Sequence, residues 1–95
     1  MAVVAIADIP GMTREQYDKV ASIVKPEEIR HAGGLLHISG ATETGWRVIE
    51  VWESREAQER FVREKVLPNM PPEVPLPSIQ FMEVHTMYGI STPDS

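Results

Sequence analysis

The sequence predicts a single α+β domain with the element order βαββαβ. Three observations carry this expectation. Strand-length apolar runs alternate with two stretches of helical periodicity, each opened by a hydroxyl residue in the capping position. A Thr-Glu-Thr-Gly turn joins two apolar runs near the middle of the chain. The runs also carry apolar side chains on both faces, unlike a sheet with one side in water.

Taken in order, residues 2–9 (AVVAIADI) form the first strand, which Pro10-Gly11 stops. Thr13, with Gln16 three residues on, makes a capping box that opens a helix. Tyr17, Val20, Ala21 and Val24 repeat at helical spacing until Pro26 ends the pattern. Residues 26–34 (PEEIRHAGG) supply one turn at most, closed by two glycines. Leu35–Ala41 and Trp46–Glu53 are the strands of a hairpin around Thr42-Glu43-Thr44-Gly45. Ser54 caps a second helix running to about Leu67. Its inner face carries Ala57, Phe61 and Val62, and its outer face Glu56–Arg60, Glu59–Arg63 and Arg60–Glu64 pairs.

Five of the eight prolines then fall between Pro68 and Pro77, a stiff connector that suits neither helix nor central strand. Residues 79–90 (IQFMEVHTMYGI) make a long last strand, and residues 91–95 a flexible tail after a single domain over 1–90. This is the ferredoxin-like, split βαβ arrangement. It gives a four-stranded antiparallel sheet in the order four-one-three-two, with two helices on one face.

Composition bounds the function. At 95 residues the core is thin, since a domain of this size buries roughly 60–65% of the surface of its unfolded chain. Cysteine is absent, which excludes disulfides, thiol redox chemistry and cysteine-ligated zinc. A net charge of −5 and a pI near 5.1 oppose binding to a phosphate backbone, so nucleic acid is not expected as a partner. No apolar run approaches the roughly 18 residues of a membrane span, and the start (MAVVAIADIPG) lacks a basic flank and cleavage site. A cytoplasmic protein without membrane contact is the expectation.

Side chains alternate along a strand, so each strand sorts into two sets. In the third strand Trp46, Val48, Glu50 and Trp52 share one face, and Arg47, Ile49, Val51 and Glu53 the other. The hairpin sets the pairing: Ala41 opposes Trp46, Ser39 opposes Val48, His37 opposes Glu50 and Leu35 opposes Trp52. In the last strand Phe81, Glu83, His85 and Met87 alternate with Met82, Val84, Thr86 and Tyr88. Matching like sets makes one sheet face aliphatic, with Leu36, Ile38, Ile49 and Val51. The other face is aromatic with embedded ionisable groups. Two helices cover one face only, and a second copy of the chain is the simplest cover for the other.

The order of elements, and the segment GWRVIEVWESREAQERF, resemble the dimeric α+β barrel superfamily, in particular its antibiotic-biosynthesis-monooxygenase-like branch. The strand ending Glu50-x-Trp52, the capping Ser54 and the pair Glu56-Ala57 carry the likeness. The resemblance implies a homodimer that faces its sheets, and a ligand pocket between each sheet and its own helices, lined by Trp52. It also implies chemistry drawn from cofactor-independent monooxygenases, haem-degrading enzymes, cyclases and isomerases. The second helix has no histidine, which disfavours haem chemistry. Leu67-Pro68-Asn69-Met70 stands where the cyclases carry a His-Pro-x-His-type segment, which disfavours the olivetolic-acid mechanism.

Among candidate groups the opposed pair His37 and Glu50 is the sharpest. Directly opposed side chains have Cβ atoms roughly 5 Å apart, and a carboxylate that fixes the imidazole tautomer leaves the other nitrogen free to take a proton. The bland alternative is a partly exposed pair on an edge strand. His85 shares the inferred face as a second acid/base or polar anchor, and equally fits a satisfied core histidine. A His37–Glu50–His85 metal set is too widely spaced to be assigned. Trp46 and Trp52 supply apolar walls, with Tyr17 and Phe61 as the roof. Asp8-Ile9-Pro10-Gly11 resembles the turn of amino-acid-binding ACT modules, but the Glu-x-Trp strand does not fit one.

The expectation is therefore a homodimeric, cofactor-free enzyme that abstracts a proton from a small aromatic or polyketide-like molecule. The reaction is a cyclisation, isomerisation or monooxygenation. The alternatives are a non-catalytic ligand-binding or regulatory homodimer and a purely structural interaction protein.

Overall fold

The computed structural model describes residues 1–90, and the tail expected over 91–95 lies outside the described residues. The chain forms an α+β fold with one four-stranded antiparallel sheet, and it fits the ferredoxin-like arrangement. Strands β1 (Val3–Pro10), β2 (Gly34–Ala41), β3 (Gly45–Trp52) and β4 (Ser78–Glu83) lie in the order β2-β3-β1-β4. Helices α1 (Arg14–Ile23), α2 (Pro26–Ala32) and α3 (Arg55–Phe61) supply the second layer. Among the described residues no helix is long and apolar enough to cross a membrane.

The capping box forms as expected. The Gln16 N–H donates to the Thr13 hydroxyl at 3.2 Å, and the Thr13 N–H donates to the Gln16 side chain at 2.9 Å. This anchors the first turn of the helix that carries Tyr17. Residues 26–32 do more than the single turn expected. Pro26 occupies the first turn, Glu27 and Glu28 follow it, and Arg30 and His31 close the last turn, so charge matches the helix dipole at both ends. Gly33 ends α2 at φ +112°, a left-handed conformation that a side chain resists, and an added Cβ would meet the Glu53 side chain at 2.8 Å.

The hairpin register holds at Ala41–Trp46, Ser39–Val48 and His37–Glu50. It departs at the far end, where Gly34 and not Leu35 opposes Trp52. The irregularity lies between Gly34 and Leu36, leaving Leu35 as the extra residue of a bulge. Simple alternation has no means of showing a bulge. The glycine that looked like loop closure is the first residue of the strand.

Two further elements differ from expectation. The helix after Ser54 does not stay regular to Leu67. From Val62 to Val66 it widens into a π-type turn, with the Leu67 N–H donating to the Val62 carbonyl, and a 3₁₀ turn over Leu67–Asn69 follows. Widening changes the angular spacing at Arg63 and Glu64, whereas Glu56 and Arg60 lie in the regular part of the helix. Arg55–Glu59 at 3.3 Å and Lys65–Glu28 at 3.8 Å are the ion pairs made on the outer face among the described residues, in place of the three expected pairs. The last strand stops at Glu83 and does not reach residue 90. Its partner β1 pairs from Val3 onward, and a bond from the Val84 N–H to the Ala2 carbonyl closes the ladder.

Burial lies almost wholly on the helix-covered face. One cluster joins Val3, Ala5, Val24, Trp52, Ala57 and Phe61; a second joins Ile9, Met12, Trp46 and Val74. On the open face Asp8 and Arg47 oppose one another and form a two-point ion pair at 2.7 and 3.2 Å. The Arg47 hydrogen bonds hold the Asp8 carboxyl below its ordinary value of 3.8. A carboxyl depressed in the folded state contributes stability above its unfolded pKa and loses it as pH falls through the folded one. Between about pH 5 and pH 2, urea unfolding is expected to show the wild type losing more stability than Asp8→Asn, with the difference shrinking in high salt. Parallel curves for the two proteins would contradict this.

Candidate functional site

The site is built on one row of the sheet. His37 (β2), Glu50 (β3), Ala5 (β1) and Phe81 (β4) stand in register on the helix-covered face. The next row is Ser39, Val48, Ala7 and Ile79. Ala7, at the sheet centre, leaves space under the helices where a larger side chain would fill the layer, whereas Ala5 is packed into the core. A cavity of about 720 Å³ occupies that space, with Ala7, Val48 and Ile79 among its floor residues. Its lining is mostly apolar, as small-molecule sites are. Val62 and Val66, the two ends of the π-type turn, both face it.

Polar groups meet at one wall. The His37 imidazole Nδ1 lies 2.7 Å from Glu50 Oε2, and the Trp52 indole N–H donates to Glu50 Oε1 at 3.0 Å. The Tyr17 hydroxyl lies 2.6 Å from His37 Nε2. Donor and acceptor rules orient this chain. An indole N–H only donates and an ionised carboxylate only accepts, so Glu50 receives one bond on each oxygen. A neutral His37 then carries its proton on Nδ1, and Nε2 accepts from the Tyr17 hydroxyl. The Glu50 side chain is 13% exposed and that of His37 32%, so the carboxylate is largely shielded while the imidazole is partly open to water.

The other expected residues divide clearly. Tyr17 and Phe61 line the cavity, from α1 and α3. Trp52 does not: it is 0% exposed, packs against Phe61 with ring centroids 5.3 Å apart, and acts on the site through its bond to Glu50. Trp46 also stands behind the wall, where its ring stacks on Tyr17 at 5.0 Å and 26°. It therefore sets the tilt of the phenol. His85 is not brought to His37 and Glu50. It lies beyond the end of β4, with Val4, Val51 and Met82 of the open face around it. Alternation gave it the helix-covered face, but alternation lapses where a chain leaves its ladder. Among the described residues no three His, Cys, Asp or Glu side chains converge as a metal site requires.

Gln58 is the residue that the sequence reading passed over. It is 2% exposed, lines the cavity, and its carbonyl oxygen has no hydrogen-bond partner. A signal was present, because Gln58 lies three and four residues before Phe61 and Val62, on the inward stripe of the helix. Met12 and Met70, which are not among the expected site residues, add flexible apolar lining.

A scan against protein-family models finds none that matches the chain, and no curated protein matches it.

Proposed function

We propose that the chain is a cofactor-free enzyme that withdraws a proton from a small aromatic or polyketide-like molecule held in the cavity. The observation that carries this reading is the hydrogen-bonded chain Glu50–His37–Tyr17, which ends at the wall of an apolar cavity. Tyr17 is its outermost member. An acidic C–H or phenol of the substrate gives its proton to the Tyr17 oxygen as the Tyr17 proton passes to His37 Nε2. The imidazolium so formed keeps its Nδ1–H on Glu50, whose negative charge stabilises it. The substrate anion then cyclises, isomerises or meets dioxygen. Tyr17 and His37 are the catalytic residues in this scheme, and Glu50, Trp52 and Trp46 position them.

The likeness of the Glu50-x-Trp52 strand and its capping segment to the antibiotic-biosynthesis-monooxygenase-like branch of the dimeric α+β barrels supports the same reading. So does a cavity between sheet and helices, where such proteins hold their ligands. A cytoplasmic homodimer completes the proposal. The open sheet face carries Ile6, Ile38 and Ile49 in register, with Val4 and Met82 paired in the next row, and Ile38 is 53% exposed. An apolar surface of this kind is typical of an interface.

The chemistry is tested with β-tetralone, an aromatic ketone with an acidic carbon, by following deuterium uptake in heavy water by NMR. The wild type is expected to accelerate exchange at least about tenfold over buffer, and His37→Ala and Tyr17→Phe to abolish the gain. Binding of the ketone without faster exchange would favour the non-catalytic ligand-binding reading. Assembly is tested by sedimentation. The wild type should run as two chains and Ile38→Asp as one, with unchanged circular dichroism. A wild-type monomer would overturn the dimer.

A further inference from the structure

Gln58 is difficult to explain as a packing residue. A side chain at 2% exposure on the inward stripe of α3, between the core residue Ala57 and the cavity residues Phe61 and Val62, is ordinarily aliphatic. A buried amide oxygen without a partner destabilises the fold that contains it. The residue therefore works against stability where leucine or methionine would fill the same volume. Such a group is retained most simply when something other than the protein satisfies it.

We propose that Gln58 is a binding residue for a hydroxyl group on the ligand, remote from the proton-transfer end. This rests on the reading of the cavity as a small-molecule site and adds a substrate class to it: a molecule with two hydroxyl-bearing ends and an apolar, planar middle. Glu27 and Arg30 of α2 also line the cavity, and the two polar points made by Tyr17 with His37 and by Gln58 come from other elements. Tyr17 and His37 stand on α1 and the edge strand β2, whereas Gln58 stands on α3, which packs over β1 and β3. The lining also includes Val48, Ala7 and Ile79, which offer no hydrogen bond through their side chains. A half turn of the Gln58 amide exchanges its carbonyl and amino groups. A hydroxyl, which both donates and accepts, satisfies either setting, whereas a carboxylate or an ammonium satisfies one only. A ligand that lacks the second hydroxyl leaves the amide unpaired, the situation in which polar sites discriminate most strongly.

The test titrates wild type, Gln58→Leu and Gln58→Met calorimetrically with β-naphthol and with the dihydroxynaphthalene isomers. The wild type is expected to bind at least one diol about tenfold more tightly than β-naphthol. Both variants should lose that preference while holding β-naphthol with unchanged affinity. Their melting temperatures without ligand should equal or exceed that of the wild type, because the substitution removes an unpaired buried group. A wild type that binds β-naphthol with no diol preference, or variants that keep the preference, would overturn the role of Gln58 and leave the small-molecule reading intact. Melting temperatures that fall in both variants, or failure of both to fold, would show the amide to be satisfied within the protein and would also overturn it. Failure of the wild type to bind any of these compounds would remove the small-molecule reading and this inference together.

Discussion

The structure turns on the Glu50 carboxylate. A charged group on a row of the sheet that faces the helices is costly unless both of its oxygens are occupied, and both are. The Trp52 indole holds one oxygen from within the core, and the His37 imidazole holds the other from the edge strand. Glu50 thereby ties a rigid, fully buried aromatic ring to a group that faces the cavity. The orientation of His37 follows from the packing of Trp52, and that of Tyr17 from His37 on one side and the stacked Trp46 ring on the other. A catalytic group placed by a chain of this kind needs little reorganisation when its proton moves.

The cavity has an equally local origin. Ala7 occupies the central strand where bulk would close the layer, and the bulge between Gly34 and Leu36 re-aims the start of β2. The π-type turn after Phe61 sets Val62 and Val66 on the opposite wall. Each of these features lowers packing density in a domain whose core is already thin. A face-to-face contact between two copies would add the burial that the cavity forgoes. The open face, with Ile6, Ile38 and Ile49 in one row, is apolar enough for that purpose.

Much of this was legible in the residues themselves. The turn at Thr42–Gly45 sets the hairpin register, and from it the opposition of His37 and Glu50 follows by counting in twos. The capping box at Thr13 and Gln16 is likewise a local signal, and the order of the four strands follows from the βαββαβ sequence of elements. What simple alternation misplaces lies where regular geometry stops: Leu35 at a bulge and His85 past the last rung of β4. Helical spacing places Tyr17 on the roof, but its bond to His37 depends on how α1 sits over β2, which periodicity does not contain. An amide within a charged helix, such as Gln58, reads as surface. Its burial appears only when the inward stripe is followed residue by residue.

The central claim is that Glu50 and Tyr17 hold His37 in one tautomer, with a bare Nε2 poised to receive a proton. Long-range nitrogen–proton NMR of the imidazole side chains tests this most directly. At a pH where His37 is neutral, its Nε2 should resonate as an unprotonated nitrogen and its Nδ1 as a protonated one. Glu50→Gln should abolish the bias. A His37 that is protonated on Nε2, or that averages between tautomers in the wild type, would contradict the account.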